Sequence, residues 1–116
     1  MAESARLVCK SSDLESGGMG YRFSVKAKNN EDLPAFVIRF EEVVHGYINR
    51  CAHLPVQLDW REGAFFTYDK DLLICSTHGA IYEPDTGLCV GGPCKGGSLQ
   101  KLQISEREGA VYLSCD

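Results

Sequence analysis

The chain has 116 residues, a length that suits one domain with one modest hydrophobic core. Its 12 Lys and Arg residues against 16 Asp and Glu residues give a formal net charge of −4, and no basic stretch is interleaved with aromatic residues. Nucleic acids and anionic membranes are therefore poor candidates as partners. The N-terminus lacks the pattern of a signal peptide, and no apolar run is long enough to span a membrane. We expect a cytoplasmic protein without a membrane anchor.

Short apolar or alternating runs recur along the chain and predict an all-β protein. Tyr21, Phe23 and Val25, for example, alternate with polar residues, which is the period of a strand with one buried face. The one helical signal is a single turn around SSDLES. Turns rich in Gly, Asn, Asp and Pro favour antiparallel connections. In chain order, the predicted strands are ARLVCK, YRFSVKAK, PAFVIRF, VVHGYIN, FFTY, LLIC, LQKLQIS and AVYLSC.

The strand pattern is not uniform along the chain. Residues 5–50 and 98–115 have the pattern of regular strands, whereas residues 51–97 are loop-rich and contain pairs of Cys and His. We therefore predict a single domain over residues 1–116, in which a β base carries an inserted functional subdomain. Cys9 and Cys115 fall in the first and last strands, which we expect to lie side by side, with both thiols reduced and buried.

Two short boxes carry metal-binding chemistry, Cys51-Ala52-His53 and Cys75-Ser76-Thr77-His78, with 21 residues between them. Six cysteines in a chain without a signal peptide indicate metal binding rather than a disulfide framework. Each box offers one thiolate and one imidazole. The alternatives are a zinc site or unrelated residues, but zinc fingers usually pair Cys with Cys and His with His.

Around these boxes the chain resembles the Rieske iron-sulfur family. The shared pattern is Cys-x-His-Leu in the first loop, Cys-x-x-His-Gly-Ala-x-Tyr in the second, then Thr86-Gly87 and Gly92-Pro93. The resemblance is close over about residues 47–97 and rests on pattern alone in the flanking strands. It implies a Rieske fold, in which an antiparallel sandwich or barrel-like base carries a loop-rich cluster-binding subdomain at about 47–97.

The resemblance also implies the cofactor and its ligands. One [2Fe-2S] cluster per chain is held by Cys51, His53, Cys75 and His78, with the cysteines on one iron and the histidines on the other. A third, proline-bearing loop, here Gly91-Gly92-Pro93, packs over the cluster in the family.

Three positions depart from the high-potential respiratory branch of that family. Val56 and Thr77 stand where that branch has an additional pair of disulfide-bonded cysteines, and Ala80 stands where it has a serine that donates to a cluster sulfur. Fewer donors stabilise the reduced cluster less. We predict a midpoint potential in the lower part of the Rieske range, nearer about −150 mV than about +300 mV.

Other residues near the boxes have simpler interpretations. We expect Cys89 and Cys94 to pack as thiols, while a local disulfide or a role in tuning the cluster stays open. His45 has the pattern of a partly buried structural histidine. Phe65 and Phe66, between the two boxes, are expected to pack in the core.

The resemblance implies an electron carrier that is not itself an enzyme: a ferredoxin that takes electrons from a flavin-dependent reductase and passes them to a terminal oxygenase. The alternative is a small iron-sulfur subunit or module of a larger oxidoreductase. A redox sensor has no specific support in the sequence. An oxygenase in its own right would need a mononuclear iron with two further histidines, and only His45 is left.

Overall fold

The computed structural model describes residues 5–26, 30–50, 57–59, 63–67, 71–75, 79–92 and 97–114. Within these ranges the regular structure consists of β-strands and a single turn of 3₁₀ helix, Ser11–Asp13. The strands are β1 (Ala5–Lys10), β2 (Tyr21–Lys26), β3 (Asp32–Phe40), β4 (Val43–Ile48), β5 (Leu73–Cys75), β6 (Ala80–Tyr82), β7 (Cys89–Gly91), β8 (Lys101–Leu102), β9 (Ile104–Arg107) and β10 (Ala110–Ser114).

The strands form three antiparallel sheets, in the orders β1-β10-β9, β2-β3-β4-β8 and β5-β6-β7. The first two sheets make the base, and the third, of short strands, is inserted between β4 and β8 in the chain. The prediction of an antiparallel β base with an insertion is thus confirmed. The first and last strands do pair, from Ala5 opposite Ser114 to Lys10 opposite Ala110. Cys9 is buried, as expected, and Cys115 lies outside the described residues.

Strand β3 is buried on both faces, and this explains the unbroken apolar run of its sequence. One face sends Phe36 and Ile38 into a cluster that we call the site-side core. Its buried residues are Phe36, Ile38, Tyr47, Leu58, Phe65, Leu73, Cys75, Ala80, Tyr82, Cys89 and Leu99. The other face sends Val37 into a second cluster. That cluster, the base core, consists of the buried residues Val8, Cys9, Leu14, Val37, Val44, Val111 and Leu113.

One charged pair joins the two sheets of the base. Arg39 on β3 binds Glu106 on β9 through two contacts, Nη1 to Oε1 at 3.1 Å and Nη2 to Oε2 at 2.6 Å. The same guanidinium also donates to the carbonyl oxygens of Leu14 and Ser11, at 3.1 Å each. Its charge therefore stabilises the junction between the sheets and the 3₁₀ turn.

Two predicted strands differ from the observed ones. In the described part of FFTY, residues 65–67, the backbone forms a bridge between Phe66 and Leu73 rather than a full strand, with hydrogen bonds from Thr67 N–H to the Leu72 carbonyl and from Ile74 N–H to the Phe65 carbonyl. The Phe65 ring is buried and stacks on Phe36 with ring centroids 3.9 Å apart. LQKLQIS is divided at Gln103 into β8, which pairs with β4, and β9, which pairs with β10. This segment crosses from one sheet of the base to the other.

No helix among the described residues has the length and apolar character needed to cross a membrane.

Candidate metal centre

The second ligand box sits on a tight hairpin formed by β5 and β6. Cys75 ends β5 and pairs with Ala80, the first residue of β6. The N–H of Gly79 donates to the carbonyl of Cys75 at 2.8 Å, and Gly79 has φ +74°, a conformation that glycine adopts without strain. The hairpin therefore closes the box between Cys75 and Gly79, and His78 lies in the part of it outside the described residues.

Cys75 has the surroundings expected of a thiolate ligand. Its side chain is fully buried in the site-side core beside Ala80 and Tyr82, and it is not part of a disulfide bond. Ala80 is also fully buried, so the position opposite Cys75 offers no hydroxyl group. A thiol presented from the end of a strand, with a histidine three residues further along the chain, fits one half of a mixed Cys and His ligand set.

The first ligand box lies between β4 and Leu58, and the structure describes its two flanks. Cys51 and His53 themselves lie outside the described residues. On the near side, the N–H of Asn49 donates to the carbonyl of Pro34 at 2.8 Å. On the far side, Leu58 is fully buried in the same site-side core as Cys75. The flanks of both ligand boxes are therefore attached to one packed cluster.

The third loop begins at Gly91 and Gly92 and packs directly against the second box. Gly92 has φ +86°, and a Cβ atom at this position would lie 2.8 Å from the Cα of Ala80 and 2.9 Å from the carbonyl oxygen of Gly79. Only glycine allows this close approach. Pro93 lies outside the described residues. The start of the third loop thus lies beside the second ligand box, and the packing of this loop over a cluster stays a prediction.

Cys89 differs from its expectation as a thiol, because the structure records it as disulfide-bonded. Its partner cysteine lies outside the described residues, as does Cys94. The Cys89 Sγ atom is 3.1 Å from the carbonyl oxygen of Gly91, and this is a contact rather than a hydrogen bond, since a disulfide sulfur has no proton. Cys89 is buried in the site-side core, and the third loop begins two residues after it.

His45 stands apart from the ligand boxes, on β4 opposite Ile38. It is half-buried, and burial lowers its pKa below the ordinary value of 6.5, with a further lowering from Lys101 that Asp85 opposes. These features confirm the expectation of a partly buried histidine.

Among the described residues, no three His, Cys, Asp or Glu side chains come together as a metal site. Of the four predicted ligands, only Cys75 belongs to that part of the chain. A cavity of about 360 Å³ lies elsewhere, beside Phe65, and the described residues that line it carry no charged or histidine side chain. Its lining is Gly17, Gly18, Met19, Gly63, Ala64, Phe65, Phe66 and Thr67.

A family model described as the Rieske [2Fe-2S] domain matches residues 4–105. The chain belongs to the Rieske [2Fe-2S] domain family. This match spans β1 to β8 and the two ligand boxes and ends at the start of β9, so the membership covers most of the chain and implies a single [2Fe-2S] cluster. Buried Cys75 and the hairpin that carries it fit that cofactor.

Solved structures share the fold of this Rieske chain. One is a complex of reduced oxygenase and oxidized ferredoxin in carbazole 1,9a-dioxygenase, which matches at 24% identity and a TM-score of 0.71, covering 97% of this chain and 94% of that chain. A ferredoxin of carbazole 1,9a-dioxygenase from Nocardioides aromaticivorans IC177 has 16% identity and a TM-score of 0.72, covering 97% and 99%.

The same fold also occurs within a longer chain. The terminal oxygenase of carbazole 1,9a-dioxygenase from Novosphingobium sp. KA1 matches at 22% identity and a TM-score of 0.72, covering 97% of this chain but 30% of that one. A sequence search of curated proteins finds no match. At these identities the structural likeness establishes the fold.

Sequence reasoning missed two features of the site. The hydrogen bonds at the flanks of the first box involve Asn49 and Asp59, and the only sequence signal was their position, two residues before Cys51 and six after His53. The steric role of Gly92 was also missed, although its place before Pro93 marked a turn.

Proposed function

We propose that this Rieske protein is a freestanding one-electron carrier whose cluster is held by Cys51, His53, Cys75 and His78. The observation that carries the proposal is the burial of Cys75, the last residue of β5 before the turn to β6, in a chain of the Rieske family. The cluster supplies one-electron chemistry, and the chain holds and shields it. We propose residues 1–116 as one domain, with the cluster-binding part at about 47–97, and the cytoplasm as its location.

The mixed ligand set has an electrostatic reason. Two ferric ions with two sulfides carry +2, so two thiolates give a neutral site where four would give −2. An electron is added more easily to a neutral site than to a negative one. The midpoint potential is therefore higher than the value of about −400 mV in plant-type ferredoxins. Ala80 supports a place in the lower part of the Rieske range, because this buried position opposite Cys75 has no hydroxyl to donate to sulfur.

We propose a flavin-dependent reductase as the electron donor and a terminal oxygenase as the acceptor. Support comes from the shared fold and similar chain length of the ferredoxin of carbazole 1,9a-dioxygenase, and from the solved complex of ferredoxin with oxygenase in that system. Encounters between redox partners bury small interfaces, so the complex is expected to be weak.

A second candidate is a module or small iron-sulfur subunit of a larger oxidoreductase. It is favoured by one observation, the occurrence of this fold as 30% of a terminal oxygenase chain. The two candidates differ in solution. A carrier purifies alone and is reduced by a flavin reductase in multiple turnovers, whereas a subunit co-purifies with a large catalytic chain.

The proposal is tested by the cofactor content of purified protein and of ligand variants. We expect two iron atoms and two sulfides per chain, a Rieske-type absorption and EPR spectrum, and loss of both in Cys75→Ser. Cys9→Ser is the matched control, because Cys9 is also buried but lies in the base core. A single zinc per chain, or a cluster that survives Cys75→Ser unchanged, contradicts the proposal.

Substitution of a histidine ligand tests the charge argument. His53→Cys or His78→Cys adds a negative charge to the site and lowers the midpoint potential toward that of all-thiolate clusters. A midpoint potential above zero in the unmodified protein contradicts the assignment to the lower part of the range.

A further inference from the structure

A buried polar cluster closes the base of the first ligand loop. Asn49 and the side chain of Asp59 are each only 1% exposed. The Asn49 Nδ2 donates to Asp59 Oδ1 at 3.1 Å, and the Asn49 Oδ1 accepts from the N–H of Leu58 at 2.8 Å. The chain thus leaves at Asn49 and returns at Leu58 and Asp59, where one asparagine side chain binds both returning residues.

The carboxylate of Asp59 ties the same point to the base. Its Oδ2 accepts from the N–H of Gly63 at 3.0 Å and lies 3.2 Å from Nε of Arg22, on β2. The Arg22 guanidinium also donates to Oε1 of Gln57 at 2.7 Å. Among the described residues, the groups that meet the Asp59 oxygens are N–H donors, so an acceptor with two oxygens is required at this position.

The donors and acceptors of this cluster match in only one way. If residue 59 were an asparagine, either its amide group would face the Asn49 amide, or it would face the donors of Gly63 and Arg22. Rotating the Asn49 amide group by half a turn about the Cβ–Cγ bond would only transfer the mismatch to the N–H of Leu58. In a buried cluster, one mismatched donor pair forfeits a hydrogen bond and leaves a polar group unsatisfied.

We propose that Asn49 and Asp59 are positioning residues for the [2Fe-2S] cluster, because they hold together the two ends of the loop that carries Cys51 and His53. This proposal rests on the proposed function for the identity of the ligands. Asn49 is two residues from Cys51, so a shift of this side chain is transmitted to the ligand through a single intervening residue, Arg50. The clamp therefore controls how firmly the first loop presents its thiolate and imidazole.

A charge-swap cycle tests the proposal. Asn49→Asp alone places two carboxylates face to face, and Asp59→Asn alone places an NH2 group either against the Asn49 NH2 group or against the donors of Gly63 and Arg22. In the double variant Asn49→Asp/Asp59→Asn, every donor meets an acceptor again. The carboxylate at residue 49 accepts from the N–H of Leu58 and from the amide of residue 59. The amide oxygen of residue 59 accepts from Gly63 and Arg22. The positions of the side chains and the total charge of the pair are preserved.

We expect each single variant to lose its cluster, measured as bleaching of the visible absorbance, about tenfold faster than the unmodified protein. In the reduced protein, the EPR lines of the clusters that remain should broaden, since a loosened loop holds the iron ligands in more than one arrangement. The swap should recover both properties relative to either single variant. Asp32→Asn is the matched control, because it breaks the exposed pair with Lys26 on β2 and β3, and it should leave both unchanged.

The outcomes separate this proposal from the proposed function. If the unmodified protein shows a Rieske spectrum and the single variants behave like Asp32→Asn, the clamp is wrong while the function stands. A swap that performs no better than the single variants also overturns the clamp. If the single variants fail to fold but the swap folds and carries a cluster with an unmodified spectrum, the clamp is supported. A purified protein without a Rieske spectrum overturns the proposed function and the positioning role with it.

Discussion

Replacement of Gly92 by alanine separates backbone strain from steric contact at the second ligand box. At φ +86° an alanine incurs the cost of the left-handed region, and its Cβ would also lie 2.8 Å from the Cα of Ala80. Two other glycines serve as controls. Gly79 (φ +74°) and Gly109 (φ +77°) have equivalent backbone conformations, and an added Cβ would meet no atom within 4 Å at either one.

The expected losses of stability follow from these contacts. The left-handed conformation costs an alanine about 1–2 kcal/mol, which is all that Gly109→Ala should lose. Gly92→Ala adds an overpacking cost of about 1–3 kcal/mol, because the opposing atoms are backbone and cannot rotate away. At about 4 °C per kcal/mol for a domain of this size, Tm should fall by about 4–8 °C for Gly109→Ala and about 8–20 °C for Gly92→Ala.

Thermal unfolding followed by far-UV circular dichroism measures these shifts, and voltammetry measures the midpoint potential of the same samples. Gly92→Ala should move the potential, because the third loop pushes on the residues that follow His78. Gly109→Ala, in the turn between β9 and β10, should not. Equal Tm shifts in Gly92→Ala and Gly109→Ala would refute the steric reasoning.

Three further predictions concern the described core and the base. Hydrogen bonds from Arg39 hold the pKa of Glu106 in the folded protein below its ordinary value of 4.5. The pair therefore stabilises the fold above pH 4.5, and this stabilisation is lost as pH falls through the lower pKa of the folded state. Glu106→Gln should lower stability at neutral pH by about 1–2 kcal/mol and flatten the acid limb of urea unfolding. Burial raises the pKa of Cys9 from 9.0 to about 11, so the stability that comes from its neutral thiol is complete below pH 9 and is lost as pH rises through 11. Alkylation of Cys9 by iodoacetamide at about pH 8.5 should therefore be slow. The buried Tyr47 hydroxyl donates to the carbonyl of Pro84 at 2.8 Å, and Tyr47→Phe should cost about 1–3 kcal/mol in urea unfolding.

Much of the fold could be predicted because its signals are local. The run PAFVIRF predicted the strand β3, and the change from regular strands to loops at residue 51 predicted the insertion, although its strands β6 and β7 were not predicted. The ligand boxes could be recognised because ligand chemistry restricts residue type and spacing. That Cys51, His53, Cys75 and His78 act as ligands stays a prediction, and of these four residues Cys75 alone lies in the described part of the chain.

The contact of Arg22 was missed because it joins two distant segments of the chain. Alternation in β2 assigned Arg22 to a wet face, but this face meets the base of the first ligand loop, where Arg22 binds Asp59, a residue far along the chain. Nothing local distinguishes such an arginine from one exposed to solvent. The disulfide at Cys89 was an alternative that the sequence left open, while packing as a thiol was the expectation.

The described flanks suggest why stability and redox properties should vary separately in this protein. The first loop is closed by side-chain hydrogen bonds at Asn49, the second by the backbone hydrogen bond from Gly79 to Cys75, and the third loop starts at the contact of Gly92 with Ala80. All three closures adjoin the site-side core, while the base core lies on the opposite face of β3. A cavity made in the base core lowers the free energy of unfolding without touching these closures. A change at a closure, such as Gly92→Ala, acts on the segments beside the ligand boxes as well as on the fold.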